Sequence, residues 1–572
     1  MSLFLSVLPL ALLIFLMVSP WPTRRMPLPA TQALPAMALL AYLLQWTYFR
    51  AGHPPGTDSD QAAGPSVAAW IHAAVVDGSL SALTPLAIVF GAVLLFKTLE
   101  HSGAMAVLTG WLRRLTPDPV AQCMLIGWAF SYMVEGLSGF GTPAALAAPV
   151  LLGLLGGQYA PVRIAALCLI MNSTPVSFGA VGTPTWFGMG ALGLTPETLG
   201  EVGRTSSIIH AVGAPVIALL ALRVLMPWSI IRPRLGFVLA VVAATMVPSV
   251  IVAQWSSEFP SIVGGAVALV VAAILARLGW GLPRATGNDE ELAGGAETSA
   301  PWTQVLRAAF PILAVIALLA ITRIDDLGIK SLLNLEQPRV TLPMGLLGEW
   351  WLSSSLVVGL QGILGTTIAW KAPLLYVPCL IPFVVVCLVS VFVLGMNAGQ
   401  VKRSWTESFQ RLAAPAVAMA GALVLVKLMM LGNLLSPAMI LGRTLGESTG
   451  QAWPWFAALL GTLGAFFSGS NTVSNLTFAP IQQAIAESQG LSVALILALQ
   501  SVGGAMGNMV CIHNIVAVAA ILGLGEKRSL SAENQPPAEP EGVAAVLRLT
   551  FPPMMAYAVV AAVTAAVLRW VG

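Results

Sequence analysis

The chain has 572 residues, of which 57% are hydrophobic and only 9% charged, with a mean hydropathy of +0.86. Soluble domains carry about 25% charged residues, so this chain has too little charge to cover a water-facing surface of its size and reads as an integral membrane protein. The net charge of +3 gives no electrostatic footprint for nucleic acid, and the high hydrophobicity excludes disorder.

Apolar windows long enough to cross a hydrocarbon core of roughly 30 Å fall near 3–19, 30–49, 80–99, 206–226, 236–253, 261–278, 307–322, 374–395, 412–431 and 549–570. The first reads as a helix and not a signal peptide, because Arg24 and Arg25 follow the apolar run instead of preceding it. Two less regular regions, 120–192 and 454–524, are rich in Gly, Ser, Thr, Asn and Pro. With 54 Gly and 40 Pro in so apolar a chain, they predict helices broken inside the membrane. The segment 323–373 mixes Arg323, Asp325, Asp326, Lys330, Glu336 and Arg339 with an apolar run at 351–370, and reads as external and amphipathic. Cys123, Cys168, Cys379, Cys387 and Cys511 lie in apolar stretches without CxxC spacing, as buried small residues and not as a disulfide framework or zinc site.

Lys and Arg in short loops favour the cytoplasm. Arg24/Arg25, Lys97 to Arg114, Arg223 to Arg234, Arg277 to Arg307, Lys402 to Arg411 and Lys527/Arg528 form one set, with Asp58/Asp60, Glu197/Glu201 and Glu258 in the intervening loops. This pattern puts the N-terminus outside.

Self-similarity sets the expected architecture. SGFGTPAALAAP from Ser138 and SGSNTVSNLTFAP from Ser468 share Ser-Gly, Thr142/Thr472, Leu146/Leu476 and Ala148-Pro149/Ala479-Pro480. At the same offset of 330, GAVLLFK (91–97) falls on GALVLVK (421–427), matching Lys97 with Lys427. The loop charges give the two copies opposite directions. The fold class is therefore an all-α polytopic membrane protein with two inverted-topology repeats, an arrangement from which many transporters build a midplane site. Residues 1–79 supply N-terminal helices and an external loop, 80–230 the first repeat, 231–373 connecting helices and the external segment, and 374–572 the second repeat. Re-entrant hairpin tips are expected at Ser138–Pro143 and Ser468–Val473, and helix breaks at 172–184 (NSTPVSFGAVGTP) and 503–514 (GGAMGNMVCIHN).

Helix N-termini opened at such tips carry partial positive charge and free N–H groups, and so hold an anion without a permanently buried cation. Ser138, Gly139, Gly141, Thr142, Asn172, Ser173, Ser468, Gly469, Ser470, Asn471, Thr472, Asn508, His513 and Asn514 are the candidate substrate-binding residues. Close helix packing would account for the glycines but not for asparagines at corresponding breaks. Glu135, three residues before the first tip, suits a carrier of one proton or else a structural carboxylate paired with Arg or Lys. His513 would bind a carboxylate or relay the proton, or is hydrogen-bonded in place. His210 is a further candidate under the same alternatives. Lys97 and Lys427 read first as snorkelling side chains near helix ends. No intramembrane DxxxD, HxxxH or GxSxG arrangement with suitable partners supports a membrane enzyme, so the chain is read as a transporter without a bound cofactor or metal, its non-protein contacts being membrane lipid and a small carboxylate.

ALAAPVLLGL after SGFGTP, ALCLIMNSTPVSFGAVGTP, FFSGSNTVSNLTFAPIQ and SVGGAMGNMVCIHNIVAVAAILGLGEK resemble the lactate permease family over nearly the whole chain. The resemblance implies uptake of lactate, and often glycolate, with protons. The triplet Ser470–Thr472 also resembles hairpin tips of the wider ion transporter superfamily, which implies a homodimer with a scaffold, a moving transport domain and an elevator mechanism. Several lactate permeases carry Lys where this chain has Asn508, and lack the run Cys511–Asn514, so the carboxylate-binding role falls here to His513 or the substrate differs. Sodium coupling on the same scaffold is the alternative to proton coupling.

Overall fold

The computed structural model describes residues 1–18, 28, 30–52, 65–139, 142–283, 301–323, 328–377, 380–522, 524 and 541–571. Gly141, Cys379 and the loop charges Arg24, Arg25, Asp58, Asp60, Asp325, Asp326, Lys527 and Arg528 lie outside the described residues. The chain divides into two compact units: Met1–Met105 with Leu306–Gln451 and Leu476–Ser492, and Ala106–Val305 with Ala452–Asn475 and Val493–Gly572.

The first unit opens with α1 (Ser2–Val18), α2 (Ala30–Leu44), α3 (Val67–Ser81) and α4 (Leu83–His101). The second follows with α5 (Ala104–Arg113), α6 (Pro119–Ser138), α7 (Thr142–Leu155), α8 (Pro161–Met171), α9 (Gly179–Trp186), α10 (Pro196–Leu225), α11 (Leu235–Val252) and α12 (Pro260–Leu278). Helix α13 (Trp302–Arg323) leads back to the first unit, which adds a β-sheet, α14 (Ile381–Leu394), α15 (Ala398–Gln410), α16 (Ala413–Met430) and α17 (Pro437–Thr449). The second unit ends with α18 (Pro454–Ser468), the start of α19 (Asn471–Gln489), α20 (Val493–Gly507), α21 (Ile512–Ile521) and α22 (Glu541–Val571). Most apolar windows predicted from sequence coincide with one of these helices, and α3 is an additional one. Among the described residues, α6, α10, Trp228–Val252, α12 and Ala544–Trp570 are long and apolar enough to cross a membrane.

Glycines let the helices of the second unit approach closely. A Cβ on Gly461 of α18 would overlap the Gln500 carbonyl of α20, and one on Gly503 of α20 would overlap the Ala458 carbonyl of α18. Small residues serve the same end in membrane bundles generally.

The chain is mostly helical but not all-α. Residues of the segment expected to be external and amphipathic build an antiparallel meander of β1 (Arg339–Pro343), β2 (Glu349–Ser353), β3 (Val357–Gln361) and β4 (Trp370–Pro373). Trp350, Trp351, Val357 and Val358 favour a pleated, half-buried surface, and Thr341 pairs with Trp351, which in turn pairs with Gly359. Gly348, at φ +98, closes the first turn where a Cβ would overlap the Gln361 carbonyl. The sheet packs through Leu360 and Ile363 onto Ala73 of α3.

Lys97 and Lys427 are both held in ion pairs. Lys97 is buried and pairs with Glu100 and, at 2.7 Å, with Glu407 of α15, whereas Lys427 pairs with the buried Asp77 of α3 at 2.8 Å. Held by partners within the first unit, neither lysine needs to snorkel. Cys123, Cys168, Cys387 and Cys511 are buried free thiols.

Candidate functional site

Four stretches of the second unit line one narrow cavity. Glu135 and Gly139 come from the end of α6, Val176, Gly179, Ala180 and Pro184 from the region around α9, Gly469 to Thr472 from the α18–α19 turn, and Asn508 from the end of α20.

Local sequence explains each opening. Helix α6 stops at Gly139, whose φ of +64 and ψ of −163 suit only glycine, and its N–H closes on the Glu135 carbonyl at 2.9 Å. Helix α18 stops at the left-handed Gly469, whose N–H closes on Ala465 at 2.9 Å. Ser470 then caps α19, its Oγ accepting the Val473 N–H at 3.3 Å, so the start of that helix faces the cavity at Asn471 and Thr472. Helix α8 ends before Asn172, and Pro175, which has no N–H to continue the ladder, opens the turn Val176–Phe178. Across this break the flanking helices, Pro161–Met171 and Val176–Trp186, are bent by 57°.

Glu135 is buried, and Asn172 Nδ2 donates to its Oε2 at 3.2 Å. Among the described residues no Lys or Arg pairs with this carboxyl. Gly179 makes room for it, since a Cβ there would lie 2.7 Å from Oε1. Asn471 Nδ2 donates to the Ser501 carbonyl at 3.0 Å. Oδ1 of Asn471 and Oδ1 of Asn172 are buried without a hydrogen-bond partner, at a cost of about 1–3 kcal/mol for each such group. Asn514 Nδ2 donates to Oδ1 of Asn508 at 3.1 Å and to its carbonyl at 3.3 Å. That fixes the sense of the Asn508 amide, so the group left to offer the cavity is its N–H2.

Of the residues singled out from sequence, Glu135, Gly139, Gly469, Ser470, Asn471, Thr472 and Asn508 meet at the cavity. Asn172 and Asn514 stand behind it, each bonded to a lining residue. Ser138 is turned into α6, donating to Val134 at 2.8 Å, Ser173 folds back onto the end of α8, donating to Ile170 at 2.7 Å, and Ser468 donates to Gly464 at 2.7 Å. Thr142 begins α7 and His513 lies in the first turn of α21, and the side chains of both lie outside the described residues, as does Gly141. Sequence reasoning missed Val176, Gly179, Ala180 and Pro184 as lining residues. The break motif contains all four, but nothing in its spacing says which of its residues face inward.

The arrangement offers amide and hydroxyl donors, one helix start and a single carboxyl. It is suited to a small anion provided that Glu135 bears a proton, because an ionised carboxylate would repel an anionic guest in a low-dielectric site.

The sequence profile of the L-lactate permease family matches residues 2–571. A Haemophilus influenzae protein provisionally named an L-lactate permease is 42% identical over 565 residues, covering 99% of this chain and 98% of its own. The L-lactate permease of Escherichia coli K12 is 28% identical over 484 residues, 80% of this chain and 82% of its own. The glycolate permease GlcA of the same organism is 25% identical over 483 residues, 79% of this chain and 81% of its own. With residues 2–571 matched, relatives named permeases along most of its length and apolar helices throughout, the chain belongs to the L-lactate permease family, a membrane-embedded permease and not an enzyme.

Proposed function

We propose that this permease is a secondary active transporter that carries a small 2-hydroxy monocarboxylate, lactate and also glycolate, together with one proton into the cell across a bacterial inner membrane, with its N-terminus outside. The observation that carries the reading is the pairing in one cavity of neutral donors with a lone carboxyl that meets an amide and no described cation. With the proton on Glu135 the carboxyl is neutral, so the bound anion adds no second buried negative charge. The site then carries the same net charge loaded as it does empty with Glu135 ionised, which lowers the cost of moving it through a low-dielectric path.

The donors on hand suit a carboxylate: the first N–H groups of α19, the Asn508 amide and the Thr472 hydroxyl. Inverted repeats are the reading we give to the glycine-closed turn that follows α6, the similar turn after α18, and the interruptions after α8 and α20. All cavity residues belong to the second unit, as an elevator requires of a transport domain that carries its own site. A homodimer built on the first unit completes that reading.

Counterflow in proteoliposomes tests the substrate. Unlabelled L-lactate or glycolate inside should trap label from outside, whereas acetate and succinate should not. If neither 2-hydroxy acid traps label, the substrate assignment falls.

A further inference from the structure

Outside the cavity, the second unit contains a buried polar chain that runs from the C-terminal helix to the cavity wall. The Tyr557 hydroxyl of α22 meets Nδ1 of His210 on α10 at 2.5 Å, and Nε2 of His210 meets Ser177 Oγ at 2.8 Å. Ser177 donates to the Ser501 carbonyl of α20 at 3.1 Å, and Ser501 Oγ donates back to Ser177 Oγ at 3.1 Å. The same Ser501 carbonyl accepts the Asn471 amide at 3.0 Å.

Counting protons fixes the direction of the chain. The single hydroxyl proton of Ser177 goes to the Ser501 carbonyl, so Ser177 Oγ must accept from His210, and the imidazole carries its proton on Nε2. Nδ1 is then the acceptor for Tyr557. The seat is built for this contact: a Cβ on Gly213, one turn along α10, would collide with the Tyr557 ring. Ser177 sits between the lining residues Val176 and Gly179, and Gly179 in turn abuts Glu135.

We propose that His210 is a positioning residue for the transported anion: through Ser177 it ties the break after α8 to α20 and to Asn471, and so sets the distance between the walls of the cavity. It does not touch the guest. The inference rests on the cavity being the anion site.

Proteoliposome uptake kinetics on the full chain separate this role from a merely structural one. A variant that only folds less well lowers Vmax, by lowering the active fraction, and leaves KM alone. Loss of positioning raises KM while Vmax per folded molecule stays level. Ser177→Ala and His210→Asn, whose shorter amide reaches the Tyr557 side but not Ser177, should each raise KM for lactate roughly fivefold, the order expected for one neutral hydrogen bond. His210→Gln places an amide N–H near Nε2, keeps the Ser177 contact and should stay within about twofold of the parent, as should Tyr557→Phe. The Ser177→Ala/His210→Asn double variant should be no worse than either single one, because both remove the same link.

If His210→Asn and Ser177→Ala keep the parent KM, or lower only Vmax, the inference is overturned. Equal KM increases for His210→Asn and His210→Gln would overturn it too, since the effect would not track the Ser177 contact. Absence of lactate uptake by the parent protein is a different result. It would sink the substrate reading, and the same KM comparison would then be made with whichever acid the parent exchanges.

Discussion

Glu135 is the residue where charge and cavity meet. Changing it to Gln keeps the size and removes the proton. Glu135→Gln should therefore still exchange lactate across the membrane in counterflow but lose accumulation driven by a pH gradient; unimpaired accumulation would remove Glu135 from the coupling. Asn508 is the donor whose orientation Asn514 fixes, and hydrogen bonds to charged groups are worth about 1.5–3 kcal/mol. Asn508→Ala should therefore raise KM for lactate about tenfold or more. Asn514→Ala, which frees the Asn508 amide to turn, should move KM the same way by less. Glu135 and the Ser470–Thr472 triplet were legible in the sequence because polar side chains stand out in an apolar run. Ser177, Ser501 and Tyr557 were not, because a lone hydroxyl in a membrane helix usually bonds within its own turn, and only the folded chain shows that these three face one another across His210.

Ion pairs between helices add a second test at the same scale. Lys427→Met leaves the buried Asp77 without its cation, and breaking a buried pair on one side costs about 3–5 kcal/mol. The thermal midpoint of the detergent-purified variant should fall sharply, and the Lys427→Met/Asp77→Leu double variant should recover much of the loss. A double variant no better than the single one would mean that the pair does not act as a unit.

Element boundaries were read from sequence with unequal success. Gly and Pro punctuate the ends of α6 and α18 and the break after α8, so those openings were expected where they occur. The sheet was not, because its strands are short, its turns interrupt the period of two, and both charge signs fall within it. What reveals it is packing on α3 through Leu360 and Ile363, a long-range contact. Packing likewise decides how α18 meets α20: Gly503→Leu would drive a side chain into the Ala458 carbonyl, and should abolish the monodisperse peak in size-exclusion chromatography. At the end of α4, the hydrogen bond from Lys97 holds the Glu407 carboxyl below its ordinary 4.5, helped by the Lys97 charge and by His101. A depressed carboxyl pKa stabilises the fold above the unfolded value and loses that contribution as pH falls through the folded one. The Lys97–Glu407 contact should thus be intact at neutral pH and weaken below about 4.5. Glu407→Gln should flatten the acid side of the stability profile, leaving neutral-pH activity in place.

At the scale of the molecule, composition alone placed the chain in a membrane, and the 330-residue offset suggested that the site is assembled from two distant parts of the sequence. Stretches within 135–184 and 469–508, far apart in sequence, line one cavity within one compact unit. The coupling ion is the central claim, and one experiment addresses it most directly. Purified protein is reconstituted in sodium-free liposomes, alkaline inside, and labelled L-lactate is followed with time. The account predicts accumulation above the outside concentration that a protonophore collapses. Equilibration without accumulation, or accumulation that appears only when an inward sodium gradient is supplied, would contradict it.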